Sequence, residues 1–379
     1  MESYNQYIIS KNAIRLNLSK FRKINKDCKV CAVVKANGYG VGFENVVSQI
    51  DDKVDFYAVA CFCEATRLRK ITNKPILILN FVPKQSIYEC IKNNISISVC
   101  DYEQLKVLCK YIKNSKNKFN YGKLKNKKLN IHFAINTGMN RVGFKSKDSF
   151  YKSLILLKKY QKYINIEGIF THFYNANNSI ATQKQFCIFM QYVNMLSLHF
   201  DISNIIKHAS NSLAATKYKK YNLNMVRLGI ILYGFLENKN LAKKLNLKPA
   251  ISIKSKLIDI QNIKKGESVG YDASFVASKD MTIGVVPLGY ADGIFRSCAK
   301  KGYVLCGGKK CKIVGRICMD MFMVDISKTH AKIFDEVVVI GKDKFGNKIS
   351  VDDVAKKCNT ISYEILTNIK KSRFNVKIA

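Results

Sequence analysis

Apolar residues in the first two thirds of the chain fall into short unbroken runs, and longer stretches with apolar positions every three or four residues separate them. A short apolar run bounded by turn residues reads as a strand buried on both faces, as in a parallel sheet. Such runs lie at residues 30–34, 56–61, 75–81, 95–99, 129–135, 166–171, 205–209 and around Val226, with helical patterns such as 64–70, 102–113 and 183–198 between them. About eight βα units predict closure into a barrel. After Glu237 the rhythm changes. Residues 237–249 are polar and lysine-rich, and closely spaced β-like runs follow at 251–260, 282–287, 304–306, 310–317, 321–326 and 337–340, with turns such as Gly307 and Gly308 between them. The expected fold class is therefore α/β: a TIM-like (β/α)8 barrel over residues 1–236, then a mainly antiparallel β domain over 237–379. The strand-like residues 7–9 are a candidate addition to the second domain. Residues 114–128, the most charged insertion, read as a solvated loop.

With 379 residues, the chain is too long for one ordinary core, and 47% hydrophobic residues without a low-complexity tract imply a globular protein throughout. The formal net charge of +37 first suggests nucleic acid. Against this, lysine far outnumbers arginine, whereas base readout leans on bidentate arginine, and the lysines are spread without an aromatic-interleaved cluster. A basic, solvated surface is the better reading, so no nucleic-acid partner is expected, although small anions would be attracted. The N-terminus lacks a basic segment followed by an apolar core, and no run approaches membrane-spanning length. The expectation is a cytoplasmic protein with no membrane partner. The 13 cysteines, scattered through apolar runs, fit reduced, buried thiols better than a disulfide framework. Cys28 and Cys31 form a CxxC, but no second pair stands at zinc-ligand distance and Cys31 sits inside an apolar run, so packing is expected there and no metal site.

In a parallel barrel the chemistry lies at the C-terminal ends of the strands. Polar residues collect at those ends here: Lys35, the segment 136–141, His172, Asn211 with Ser212, and Arg227. Lys35 follows four apolar residues directly. Burial there would lower its pKa towards that of a nucleophilic amine, which suits a Schiff-base lysine. A strand-end lysine alone is a weak signal, because most lysines are surface residues; its company carries the argument.

That company is KANGYG, GFEN, FYAVACFCEATRLR, INTGMNRVGF, GIFTHF, HASNS, MVRLGIILYG, VGYDASF, PLGYADG and VGRICMDMFMVD. Together, over nearly the whole chain, these resemble the alanine racemase family. The last three are the most specific, since other pyridoxal-phosphate barrel enzymes share only the barrel half of the pattern. The resemblance implies pyridoxal 5'-phosphate bound in the barrel and two-base proton transfer that interconverts L- and D-alanine, supplying D-alanine for cell wall synthesis. It also implies a head-to-tail homodimer with shared active sites.

Residue by residue, the resemblance makes Lys35 the cofactor-holding lysine and one base, and Tyr271 the base on the opposite face. A free tyrosine titrates near ~10, so such a base needs nearby positive charge. His172, which would also lie against the cofactor ring, and Arg227 are the candidates. Arg227 would face the pyridine nitrogen and, staying protonated, leave it without a proton, making the ring a poorer electron sink. The phosphate would meet Tyr39, Ser212 beside Asn211, the backbone N–H groups of Gly229 and Ile230, and Tyr363. Arg141, Tyr290 and Met319 would hold the substrate carboxylate.

Several positions depart from the pattern. Ala134 stands where a lysine, often carbamylated, braces the arginine at the position of Arg141, so a small anion such as chloride or a water-filled pocket is expected instead. Asn136 and Asn224 stand where aspartate is common, and Val41 and Leu228 replace a histidine and a proline. The rival readings are a racemase for serine or another small amino acid on the same fold, and a non-catalytic pyridoxal-phosphate carrier or basic nucleic-acid binder. A carrier would not need Tyr271.

Overall fold

The computed structural model describes residues 4–114 and 127–379, so the charged insertion expected at 114–128 lies, apart from its edges, outside the described residues. After β1 (Gln6–Ile9) come eight parallel strands: β2 (Lys29–Val33), β3 (Phe56–Val59), β4 (Ile76–Ile78), β5 (Ile95–Val99), β6 (Leu129–Ala134), β7 (Ile164–Phe170), β8 (Ile206–His208) and β9 (Met225–Leu228). They pair in chain order from β2 to β8, and β9 returns beside β2. Two bonds bring β8 and β9 together: Asn224 N–H donates to Lys207 C=O (3.1 Å) and Arg227 N–H to Ser210 C=O (3.0 Å). The expected barrel is present. Several strands stop short of the apolar runs that predicted them, because residues such as Ala60, Leu79 and Thr171 belong to the loops above the barrel.

Alternation divides the barrel interior into two halves. Cys31, Val33, Phe56, Ala58, Leu77, Ile206 and Met225 form one apolar cluster. On β5, β6, β8 and β9 the positions Ser96, His132, His208 and Arg227 are instead polar, and all are buried. Outside, the helices bury their apolar stripes against the strands. In Lys11–Ile24, for example, Ser10 caps the first turn through Ala13 N–H, and Ala13, Ile14, Leu18 and Phe21 are buried.

The second sheet has ten strands. It contains β10 (Ile251–Lys256), β11 (Asp259–Ile263), β12 (Met281–Val286), β13 (Tyr303–Cys306), β14 (Lys309–Val314), β15 (Phe322–Asp325), β16 (Glu336–Lys342), β17 (Lys348–Ile349) and β18 (Asn375–Ile378), joined by β1. The single run expected at 251–260 is two strands. Leu257 N–H bonds to Asp335 and Ile258 N–H to Val285, so the chain changes neighbours there. β1 lies antiparallel to β10 and parallel to β18, a C-terminal strand that was not expected from the sequence. Among the described residues no helix is long and apolar enough to cross a membrane. One departure concerns the cysteines: Cys298 and Cys358 are joined in a disulfide, while the other eleven, including the buried Cys28 and Cys31, are free thiols.

Asn17 ties the barrel to the segment leading out of it. Fully buried, it donates from Nδ2 to Leu232 C=O (3.0 Å) and Lys248 C=O (2.8 Å), and its Oδ1 accepts from Lys248 N–H (2.8 Å). Asn17→Ala leaves these backbone groups unpaired. The expected loss is about 3 kcal/mol, since each unsatisfied buried group costs roughly 1–3 kcal/mol. It should be read as a lower urea midpoint at unchanged slope; an unmoved midpoint would rule the clamp out.

Candidate active site

The C-terminal ends of the barrel strands open onto a cavity of about 670 Å³. Its floor begins where β2 ends. After Lys35 the backbone turns left-handed for four consecutive residues, Ala36 (φ 54°), Asn37 (51°), Gly38 (66°) and Tyr39 (54°). Non-glycine residues adopt this conformation at a cost of roughly 1–2 kcal/mol each. Here the turn is held by Gly38 N–H to Val34 C=O (2.7 Å), Gly40 N–H to Ala36 C=O (2.9 Å) and Gly42 N–H to Asn37 C=O (2.8 Å). Glu64, from the helix Phe62–Arg69, accepts from Asn37 N–H (3.3 Å) and Ala60 N–H (2.8 Å).

The turn brings Lys35 and Tyr39 to the same cavity. The Tyr39 ring is buried against Tyr233 (centroids 5.2 Å apart) and faces Tyr363 (6.0 Å), which the helix Ser362–Asn368 supplies from the far end of the chain. Its hydroxyl passes so close to Gly229 that a Cβ there would lie 2.3 Å from it, so only glycine fits. Gly229 N–H donates to Ser212 Oγ (3.1 Å). Asn211 caps the helix Ser212–Lys217 through Ala214 N–H (3.0 Å) and lines the cavity with Ile230. Tyr39, Ser212, Gly229, Ile230 and Tyr363 thus form one wall, and burial raises the pKa of both phenols so that they remain neutral donors.

A second wall carries the charges. Arg227 donates to the carbonyls of Thr171 (2.6 Å), His208 (3.0 Å) and Ala209 (3.1 Å), lies 3.4 Å from His172 Nδ1, and packs over Phe170. Burial lowers its pKa to about 10, so it is cationic at neutral pH. Burial and the charges of Arg227, Arg141 and Lys35 push His172 down to about 3. Positive charge was expected from His172; with its pKa this low its ring is neutral, and the cations beside it are Arg227, Arg141 and Lys35. Burial, then the Arg141 charge, lowers the pKa of Lys35, with Glu64 opposing.

Arg141 stands on a loop folded back onto β6. Asn136 Oδ1 accepts from Gly138 N–H (3.1 Å) and Asn140 N–H (3.0 Å), and Phe144 N–H returns to Ala134 C=O (2.9 Å). Gly143 (φ 110°) is needed for this close approach, since its Cβ would meet Ala134 O at 2.8 Å.

Ten of the thirteen candidate residues therefore line one cavity. Tyr271, Tyr290 and Met319 do not; they are 66%, 42% and 54% exposed on the second domain. The sequence reading missed Glu237, Phe170, Thr171 and Tyr174 in the lining, and the interior residues His132 and Glu167. A histidine inside an otherwise apolar strand run was the available signal, the more so with only five histidines in the chain.

The pattern described as "Alanine racemase, N-terminal domain" matches residues 9–237, and "Alanine racemase, C-terminal domain" matches 250–377. The chain belongs to the alanine racemase family. It is 36% identical over 365 residues to the alanine racemase of Methanococcus maripaludis, covering 94% of each chain. With that of Clostridium tetani it shares 35% over 367 residues, 94% of this chain and 90% of the other. Among solved structures it is similar to the Bacillus anthracis alanine racemase with bound L-Ala-P, at TM-score 0.89 and 27% identity, over 100% of this chain and 96% of that one. It is likewise similar to the Clostridium difficile alanine racemase in complex with cycloserine, at TM-score 0.83 and 31% identity, again over 100% and 96%.

The opposed neighbours of Lys35 give a signed prediction. Arg141→Gln should raise the pH midpoint for labelling of Lys35 by an amine-directed reagent, followed by peptide mass spectrometry, and Glu64→Gln should lower it. Midpoints that stay in place, or move the other way, would refute this electrostatic arrangement.

Proposed function

We propose that this protein is a pyridoxal-phosphate-dependent racemase that interconverts L- and D-alanine in the cytoplasm, working as a head-to-tail homodimer. The observation carrying the reading is the convergence of Lys35, Arg141, His172, Arg227 and a donor-rich wall on one cavity, in a chain whose family match runs from end to end.

The cavity fits the cofactor. The glycine-backed wall formed by Tyr39, Ser212, Gly229, Ile230 and Tyr363, with Asn211 beside it, offers hydroxyl and N–H donors of the kind a phosphate requires. When bound, pyridoxal phosphate supplies the electron sink that acidifies the substrate's Cα–H. Lys35, whose burial favours the free amine, is the residue to hold it and then to take or return a proton on one face. Arg227 remains a donor at every pH of interest and would point that donor at the pyridine nitrogen. His172, neutral, would pack against the ring. Arg141 would bind the substrate carboxylate, with Tyr290 and Met319 completing that site.

Tyr271 is exposed and outside the cavity, which is why a second copy of the chain is proposed to bring Tyr271, Tyr290 and Met319 to the site. Beside Ala134, in the same lining as Arg141, the brace is absent and a small anion is the proposed substitute.

Purified protein supplied with cofactor should turn over L- and D-alanine faster than serine, with lysine negligible. Faster serine turnover would replace the substrate assignment, and no turnover of any amino acid would leave a carrier. The shared site has its own test. Lys35→Ala and Tyr271→Phe should each cripple the homodimer, whereas mixed dimers of the two should regain about a quarter of the activity, because half of them are mixed and each has one intact site. No recovery on mixing would place both bases in one chain.

A further inference from the structure

Behind Arg227 a continuous line of hydrogen bonds, buried as far as His132 and part-buried at Glu167, runs through the barrel interior. Arg227 Nη1 lies 2.9 Å from His208 Nδ1, His208 Nε2 lies 2.9 Å from His132 Nδ1, and His132 Nε2 lies 2.9 Å from Glu167 Oε2. Ser96 Oγ donates to the same carboxylate oxygen. A guanidinium only donates, so His208 Nδ1 must accept. Burial and the neighbouring Arg227 charge keep His208 neutral, which leaves its one proton on Nε2. His132 Nδ1 then accepts, its proton sits on Nε2, and Glu167 accepts at the end. Only one arrangement of protons satisfies every member of the line.

The backbone is shaped for this arrangement. Ile131 pairs with Ile166 but His132 pairs with Gly168, so Glu167 is the additional residue of a bulge in β7. Bulges re-aim a side chain, and this one carries the carboxylate to His132. Gly168 cannot be larger: a Cβ there would lie 2.2 Å from His132 Nδ1. Arg227 itself is surrounded by carbonyls, the Phe170 ring, His172 and Cys31, and among the described residues it forms no ion pair. A buried, unpaired cation is costly unless something compensates it.

We propose that Glu167, acting through His132, is a positioning residue that fixes the tautomer of His208 and so keeps Arg227 protonated and directed at the cavity. The carboxylate acts at a distance through two neutral imidazoles, each of which presents a lone pair towards Arg227 and a proton towards Glu167. Groups facing the line are Arg227 and Cys31 on the cavity side, and Ser96 and Lys29 around Glu167. The effect on catalysis rests on the racemase reading of Arg227, whereas the tautomer itself does not.

The test is 15N NMR of the histidine rings in cofactor-free protein, compared across wild type, Glu167→Gln, Glu167→Leu and His132→Phe. In wild type His208 should be protonated on Nε2 alone. Glu167→Gln keeps an acceptor and should preserve that pattern, while Glu167→Leu and His132→Phe should produce a mixture of tautomers. In the cofactor-loaded enzyme the latter two should lose about tenfold in kcat, with KM for alanine little changed and Glu167→Gln recovering most of the loss. A wild-type proton on Nδ1, which is readable even if no variant folds, overturns the proposal. So does a His208 tautomer indifferent to Glu167→Leu and His132→Phe. Tautomers that shift while kcat stays constant uphold the relay and overturn the role assigned to Arg227.

Discussion

A guanidinium inside a β-barrel must find donors' partners and charge compensation where side chains would otherwise be aliphatic, and much of this molecule is arranged around that need at Arg227. Its N–H groups take up the carbonyls of Thr171, His208 and Ala209, at or just beyond the ends of β7 and β8, where His208 C=O also accepts from Thr171 N–H (3.3 Å). The same strands are thereby fixed relative to β9, and the seam of the barrel closes beside them. The polar half of the interior follows from one buried cation. The apolar half, built from Cys31, Val33, Phe56 and their neighbours, needs no such provision and packs as an ordinary core.

The cavity above depends on a second local constraint, the left-handed turn from Ala36 to Tyr39. An ordinary right-handed helix after β2 would carry the chain away from the barrel axis. The left-handed turn folds Tyr39 beneath the loops, against Gly229 and within reach of Tyr363 from the second domain. The strain of placing non-glycine residues there is offset by hydrogen bonds that the turn's N–H groups donate to Val34 C=O, Ala36 C=O and the Glu64 carboxylate. The two domains therefore meet at one cavity wall: Tyr39 comes from the first βα connection and Tyr363 from the helix Ser362–Asn368.

The barrel was legible because its strands are short, largely apolar and separated by helical patterns, so periodicity distinguished them. Strand ends were less legible, since apolar residues such as Leu79 serve equally well in a strand or in a cavity wall. β18 was hidden because it is only four residues long, Asn375–Ile378, and exposed at every position: parallel pairing with β1 makes it a strand. Of the site, the strand-end cluster was visible as polar residues interrupting apolar runs. His172 was placed correctly in the cavity but given the wrong charge, because the sum of burial and three cations around it cannot be read from GIFTHF. Glu167 was invisible for a different reason. It belongs to an apparent outward position, and only the bulge turns it in.

Neutral His172 changes the electrostatic logic of the site. If its ring titrated near neutral pH, the charge around the cavity would change over the range in which an enzyme works. With its pKa pushed to about 3 and that of Arg227 near 10, both are constant across that range. That would leave proton exchange to the groups named in the proposed chemistry, the Lys35 amine and, in the proposed dimer, Tyr271. A two-base reaction gains from this separation of roles. In the proposed reaction fixed cations would not compete for the migrating proton, and the proposed relay behind Arg227 would hold the buried one in place.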